Sequence, residues 1–280
     1  MPDLERAEQL PKPAEAGRLV GFDRWWLLFA AVAILVVVMS LAAPDPYWRM
    51  ILFMREGIRV TVSITVVSYV CILLVGLLAG LGRVARSPII RGIASIYVEV
   101  IRGIPLLVQL LFIYYALPVI IQGIGRYLLE NVPPLSGIGQ AMAAATINEF
   151  VGAVIGLTIC YGAYVGEIYR AGIQSIPRGQ MEAARSLGMS HLQAMRHIIL
   201  PQAIRVILPP LGNEFVALLK DSSLVSVVAV PDMVRRGREF MSKTFIPLET
   251  WTMVALLYLL MTVFSARIVA YIERKTSYVR

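Results

Sequence analysis

The chain reads as an all-α, polytopic helical membrane protein, and three observations lead there. Of its 280 residues, 58% are apolar and only 16% charged, with a mean hydropathy of +0.73. A soluble domain of this length has too little polar surface for that composition, so its solvent is largely lipid. Charge-free stretches recur at lengths near the 20 residues or so that cross a bilayer. Cations exceed acids by eight, a surplus that suits loops lying at lipid headgroups; no basic patch with interleaved aromatics marks a nucleic-acid surface.

Residues 1–24 mix charges with Pro2, Pro11 and Pro13, which suits a flexible tail. Residues 25–43 are 19 positions without a charge and form the first span. Ser40-Leu41-Ala42 resembles a signal-peptidase site, but the region before it is long and acid-bearing, so the span is retained. A second span of 23 uncharged residues covers 60–82 and is flanked by Arg83, Arg86 and Arg91.

The third apolar stretch begins near Ile89 and reaches about Ile121, passing through Glu99, Arg102, Gly103 and Pro105. Its length predicts tilt, a kink at Gly103-Ile104-Pro105, or an amphipathic start along the interface. Residues 122–140 hold Gly, Pro and Ser and read as an external loop. The fourth span, 143–169, has a charge-free centre bracketed by Glu149 and Glu167. The fifth, 202–219, is interrupted by Pro209-Pro210, Asn213 and Glu214.

Residues 222–230 are apolar but too few to cross, which predicts a re-entrant or buried strand-like segment. The last span centres on 250–266 and ends at Glu273, Arg274 and Lys275. Six spans place both termini on one side. That side carries sixteen cations against nine in the opposite loops, which makes it the inside. Gly76/Gly80, Gly152/Gly156 and Gly162/Gly166 have the spacing that lets helix backbones approach closely.

Between the fourth and fifth spans lies a polar island, residues 181–201, MEAARSLGMSHLQAMRHIILP. Its first part is rich in Ala, Glu and Arg and predicts a short helix that Gly188 ends; Ser190 and Gln193 have capping-box spacing and start a second, running to Ile198-Ile199-Leu200 before Pro201. Glu182-Ala183-Ala184, then Gly188, then Ile and Leu200-Pro201, resembles the EAA loop of the membrane-spanning subunits of bacterial ABC importers. The resemblance implies a type I importer transmembrane fold, with a five-helix core at 57–273, one extra N-terminal helix, a coupling loop at 178–201 and a C-terminal tail at 274–280. It also implies that Glu182, Ala183, Ala184, Arg185, Gly188 and His191 face a separate ATPase subunit.

The remaining residues offer little other chemistry. Cys71 and Cys160 lie in apolar runs as small hydrophobes, and His191 and His197 are six apart, without metal-ligand spacing. No lysine follows a glycine, so the chain lacks a P-loop, and no nucleophile elbow or zinc-protease motif points to an enzyme. Metal ligands and catalytic residues are therefore not assigned. ATP and Mg are expected on the partner ATPase.

Charges at membrane depth cost about 2.5 to 3.5 kcal/mol and face a cavity or a partner. Glu99 and Arg102, three apart, are expected to pair. Asn213 and Glu214 beside two prolines suggest a pathway lining. The stretches Glu99-x-x-Arg102-Gly103-x-Pro105-Leu106-Leu107-Val108-Gln109 and Asn213-Glu214-Phe215 through Lys220-Asp221-Ser222-Ser223-Leu224 resemble the polar amino acid branch of the importer permeases. Gln109, Asn213, Glu214, Asp221 and Ser222 are the pathway residues that this resemblance and their polarity suggest.

The resemblance implies these partners: a dimer of ABC ATPase subunits, a second permease chain (identical or related), an external amino-acid-binding protein and the lipid bilayer, with no nucleic acid. The location implied is the bacterial cytoplasmic membrane, with both termini cytoplasmic. The alternative reading is an ion-coupled secondary transporter or channel, which would move solute without an ATPase.

Overall fold

The structure, a computed structural model, describes residues 24–276. The expected tails lie outside the described residues, except for residue 24 and the end of the last helix. The first span forms as α1, Arg24–Ala42. A π-turn at Pro44–Trp48 leads into α2, Arg49–Val84. At 36 residues and 1.5 Å per residue, α2 is longer than a hydrocarbon core is thick. Arg49, Arg55, Glu56 and Arg59 extend it beyond the apolar stretch.

The third stretch breaks at the expected place. Helix α3, Pro88–Gly103, stops at Ile104, which is extended (φ −109°, ψ 131°) because the ring of Pro105 disfavours helix at the residue before it. Helix α4, Leu106–Leu111, follows, then a π-turn at Phe112–Ala116 and α5, Leu117–Asn131. The loop expected at 122–140 is instead mostly helical, with α5 turning back into α6, Ser136–Ala143. Gly125 and Gly139, read in sequence as loop formers, are contact points. A Cβ on Gly125 would lie 2.3 Å from the Ala143 nitrogen, and one on Gly139 2.6 Å from that of Leu129.

Helix α7, Glu149–Gln174, starts at Asn148, whose side chain accepts from the Phe150 N–H. Then come α8, Arg178–Ser186, and α9, His191–Ala194. A π-turn at Met195–Ile199 joins α9 to α10, Leu200–Asp221, so the helix expected to stop before Pro201 runs on through it. The Leu200 N–H reaches back to the Met195 carbonyl, a wider turn that accommodates the missing proline donor.

Pro209 and Pro210 do not interrupt α10 either. Proline's fixed φ is itself helical, and the cost falls on two carbonyls one turn earlier. Ser222–Val228 is buried as expected, but as a 3₁₀ turn rather than a strand. Such a turn bonds its own backbone where no neighbouring strand is available. After Ala229, at φ +67°, come α11, Met233–Thr244, and α12, Pro247–Thr276.

Among the described residues five helical segments are long and apolar enough to cross a membrane; they contain α1, α2, α4 with α5, α7 and α12. Helix α10, with 22 residues, has the length but carries Arg205, Asn213 and Glu214. It packs against α7 and α12.

The centre of the molecule is the parallel contact of α2 with α7. A Cβ on Gly76 would sit 2.5 Å from Val165 Cγ1, one on Gly80 2.8 Å from the Gly166 carbonyl oxygen, and one on Gly166 2.9 Å from the Ala79 Cβ. Ile64, Ile72, Leu157 and Val165 are fully buried beside this seam. A second cluster, with Met50, Met54, Met233, Phe240 and Met253, joins the start of α2 to α11 and α12. Because Gly80 meets α7 near Tyr169, and Leu208 shares a cavity with Ile272, the ends of α2, α7 and α12 lie on one side with α8 and α9. The start of α1 is there too, since Trp26 and Arg274 line one cavity.

Gly80→Val is expected to lower the thermal unfolding midpoint in detergent, because its side chain must displace α7 backbone; overpacking of this kind costs about 1–3 kcal/mol. Gly92→Ala, where nothing lies within 4 Å, serves as the control and should leave the midpoint unchanged or slightly raised.

Candidate functional site: a jointed helix pair and a polar cluster

Helices α8 and α9 form a short exposed pair braced by backbone geometry. At the joint, Gly188 adopts φ +82°, a conformation open to glycine and costly for other residues. Its N–H donates to the Arg185 carbonyl at 3.0 Å, and that of Met189 to Ala184 at 3.2 Å, the two bonds of a Schellman ending. Ser190 opens α9 with a complete capping box. Its hydroxyl accepts the Gln193 N–H at 3.3 Å, and Gln193 Oε1 accepts the Ser190 N–H at 2.8 Å.

Glu182, Ala183, Arg185, Gly188 and His191 are exposed on this pair, whereas Ala184 is buried against the chain's own turn. His197, also exposed, sits over the Gln193 carbonyl. Leu187 and Leu192, which the sequence did not single out, are 83% and 76% exposed. They flank the glycine joint, and isolated leucines in a polar island were the signal for them.

The second feature is a set of polar groups on α3, α7 and α10. The Tyr161 hydroxyl donates to Asp221 Oδ2 at 2.7 Å. Glu214 lies two turns before Asp221 on α10, and Asp221 and Arg102 are the charges that act on it. The Arg102 guanidinium carbon lies 5.3 Å from the Tyr164 ring centre in a cation–π contact. Asn213 and Asp221 are exposed, and Glu214 is half-buried. Tyr161, Glu214, Asp221 and Arg102 bring negative and positive charge and phenol to one side of the bundle.

Three sequence expectations are corrected here. The pair expected between Glu99 and Arg102 is not formed. Glu99 is 73% exposed and leans toward Arg83, 3.9 Å away, while Arg102 turns to Tyr164. The stronger charge interaction is Arg83 with Glu167 at 2.7 Å, and Glu167 is also held by Arg170. Arg83 closes the end of α2 over α7, a contact between distant segments that local spacing could not reveal.

Gln109 is only 5% exposed, and its amide donates to the Ile101 and Ile104 carbonyls, both at 2.8 Å. Pro105 has no N–H to offer Ile101, so the Gln109 amide nitrogen caps the helix break, while its Oε1 is buried without a hydrogen-bond partner and the residue lines a cavity with Ile101, Val108 and Phe112. Ser222 is fully buried and donates to the Leu219 carbonyl at 2.8 Å, closing the end of α10. Tyr161 and Tyr164 are additions that sequence reasoning missed; in an apolar run they read as lipid-facing or core aromatics.

Residues 72–278 match the family described as binding-protein-dependent transport system inner membrane component. The glutamine transport system permease protein of Escherichia coli strain K12 is 36% identical over 228 residues, covering 81% of this chain and 94% of that protein. The arginine transport system permease protein of Corynebacterium glutamicum is 34% identical over 266 residues, 90% of this chain and 79% of its own. A crystal structure of an amino acid ABC transporter with histidines superposes with a TM-score of 0.68 at 37% identity, covering 85% of this chain and 97% of that one. The methionine transporter MetNI in an inward-facing form shares the fold, with a TM-score of 0.63 at 18% identity. On this match the chain belongs to the family of binding-protein-dependent transport system inner membrane components, the ABC importer permeases.

Proposed function

We propose that the chain moves polar amino acids across the bacterial cytoplasmic membrane, with both termini, α8 and α9 in the cytoplasm, and that its energy comes from ATP hydrolysed by a pair of separate ATPase subunits. The observation that carries the coupling is mechanical. The braced α8–α9 joint continues through the Met195–Ile199 turn into α10, which bears Glu214 and Asp221. Displacement of the joint therefore reaches the polar cluster through one continuous stretch of helix.

In this reading Glu182, Ala183, Arg185, Gly188 and His191, with Leu187 and Leu192, meet the ATPase, and Ala184 holds the pair to the turn beneath. The loop couples only if it binds the open and closed ATPase dimer differently, since equal affinity shifts no equilibrium. ATP and Mg are placed on that partner.

The cluster suits a zwitterion. Loss of water from an ammonium and a carboxylate must be offset by groups of both signs offered together. Asn213, Glu214 and Asp221, with Arg102 nearby, offer them, and amino acids named for relatives such as the glutamine and arginine permeases support the class. One docking loop per chain and an uncovered polar face favour a second permease, identical or related, opposite this one, and an external binding protein delivers the solute.

Gly188→Pro, which locks φ near −65°, should leave the chain in the membrane and abolish substrate-stimulated ATP hydrolysis by the assembled transporter in vesicles. Unchanged stimulation would refute the coupling role. Asp221→Asn and Glu214→Gln should each lower uptake of labelled amino acid about tenfold or more, the loss of one charge-assisted hydrogen bond, while unstimulated ATP hydrolysis persists. Wild-type uptake in both variants would remove the cluster from the pathway.

A further inference from the structure

Helices α5 and α6 fold back on each other about Gly125 and Gly139, and among the described residues they form no packed contact with another helix beyond the turns that continue them. Their level along the bundle is set by α7. A Cβ on Gly156 would meet Leu110 and one on Gly152 the Tyr114 ring, and Gln122 Nε2 donates to the Ala145 carbonyl at 2.8 Å, so the chain passes the start of α7 as it runs along α5. Gly76 of α2 lies against Val165, and sixteen residues before each are Val60, which opens an uncharged run, and Glu149, which opens α7. Arg55 and Arg59, exposed just before Val60, mark the same border. The hairpin therefore stands at the charged edge of the bundle, at the end away from α8 and α9.

Helix α5 is amphipathic. Ile120, Ile124 and Tyr127, spaced four and then three apart, form one stripe, and all are exposed, Tyr127 at 63%. Arg126 and Glu130, also exposed, occupy another face. Before the π-turn α4 exposes Val108 and Phe112, and no charged residue occurs between Arg102 and Arg126. The apolar surface thus runs without a break from the spanning segment onto the hairpin. An amphipathic helix at the level where charges begin lies in the boundary between headgroups and acyl chains, a depth that suits a tyrosine ring. Continuity with the lipid-facing part of α4 favours lipid over a protein as the cover for this stripe.

We propose that the α5–α6 hairpin rests on the bilayer surface at the end away from α8 and α9. Ile120, Ile124 and Tyr127 sink about 5–10 Å into the boundary of that leaflet, and Arg126 and Glu130 stay among the headgroups. Because Gly125 and Gly139 bring the two helices together backbone to backbone, the hairpin lies there as one stiff piece. The long apolar run from Leu106 to Asn131 therefore crosses with its first part only and ends as a foot on the surface. The assignment is independent of the solute carried and of the polar cluster.

Photo-crosslinking of the assembled transporter in phospholipid vesicles tests the assignment, with p-benzoylphenylalanine placed singly at Ile124, Tyr127 or Arg126. All three positions are exposed, so each substituted chain should fold and take up solute as wild type does. Mass spectrometry of the irradiated chain should find phospholipid adducts at Ile124 and Tyr127 severalfold more often than at Arg126, with or without the external binding protein. Lipid adducts no more frequent at Ile124 and Tyr127 than at Arg126 overturn the proposal. Capture of the external binding protein or of a second permease from Ile124 and Tyr127, in place of lipid, assigns the stripe to a protein partner and overturns it too.

Discussion

The close approach of α2 to α7 is the constraint on which the rest of the structure depends. Helices in lipid gain nothing from apolar burial, because the tails are as apolar as leucine; they associate through van der Waals contact and interhelical polar bonds. Gly76, Gly80 and Gly166 remove the side chains that would hold the two backbones apart. Arg83 then closes the seam onto Glu167. Once α7 is held in this way, Tyr161 and Tyr164 come to a fixed position opposite α10 and α3, and the polar cluster has its geometry.

A second consequence concerns stiffness. The segment from Gly188 to Asp221 contains three prolines and a π-turn, features that commonly kink a helix. Here Pro201 is accommodated by the wider turn and Pro209-Pro210 by their own helical φ, so the segment remains continuous. Its far end is secured by the Ser222 hydroxyl on the Leu219 carbonyl, and Tyr69 donates to the Leu211 carbonyl at 2.8 Å. Ser222, which looked like a pathway lining, thus acts as a fastener where the end of the helix would otherwise be short of a partner. Gln109 does the same at the Gly103–Pro105 break. In a low-dielectric interior an unpaired carbonyl is expensive, and a polar side chain near a proline is as apt to satisfy the backbone as to meet a solute.

The N-terminal helix follows a different rule. Helix α1 lies outside the glycine-packed centre and meets α12 through rings, with Phe29 against Phe264 and Trp25 beneath Arg267. Aromatic contact of this kind tolerates spacing that backbone contact does not.

Much of this was legible in the amino-acid order. The apolar runs located five helical segments long and apolar enough to cross, because lipid requires about 20 uncharged residues of any helix that crosses it; the run expected as the fifth span forms α10, which is not among them. The glycine joint and the Ser190–Gln193 cap were readable because each is a bond between residues five or fewer apart. Gly103-Ile104-Pro105 announced its break for the same reason, since proline restricts its immediate neighbour.

Other features were decided only in three dimensions. Whether Gly125 and Gly139 make a loop or a tight helical hairpin depends on which backbone faces them. Arg83 pairs with Glu167, 84 positions away, in preference to any nearby acid, and Tyr161 became a partner of Asp221 only when α7 and α10 were brought together. By itself the sequence determined which stretches are long and apolar enough to cross a membrane and that the chain breaks at Gly103-Ile104-Pro105 and at Gly188, because those follow from composition and adjacent residues. Tertiary structure alone decided which polar groups face the cluster and which close the backbone, because a hydrogen bond goes to whatever partner packing places within about 3 Å.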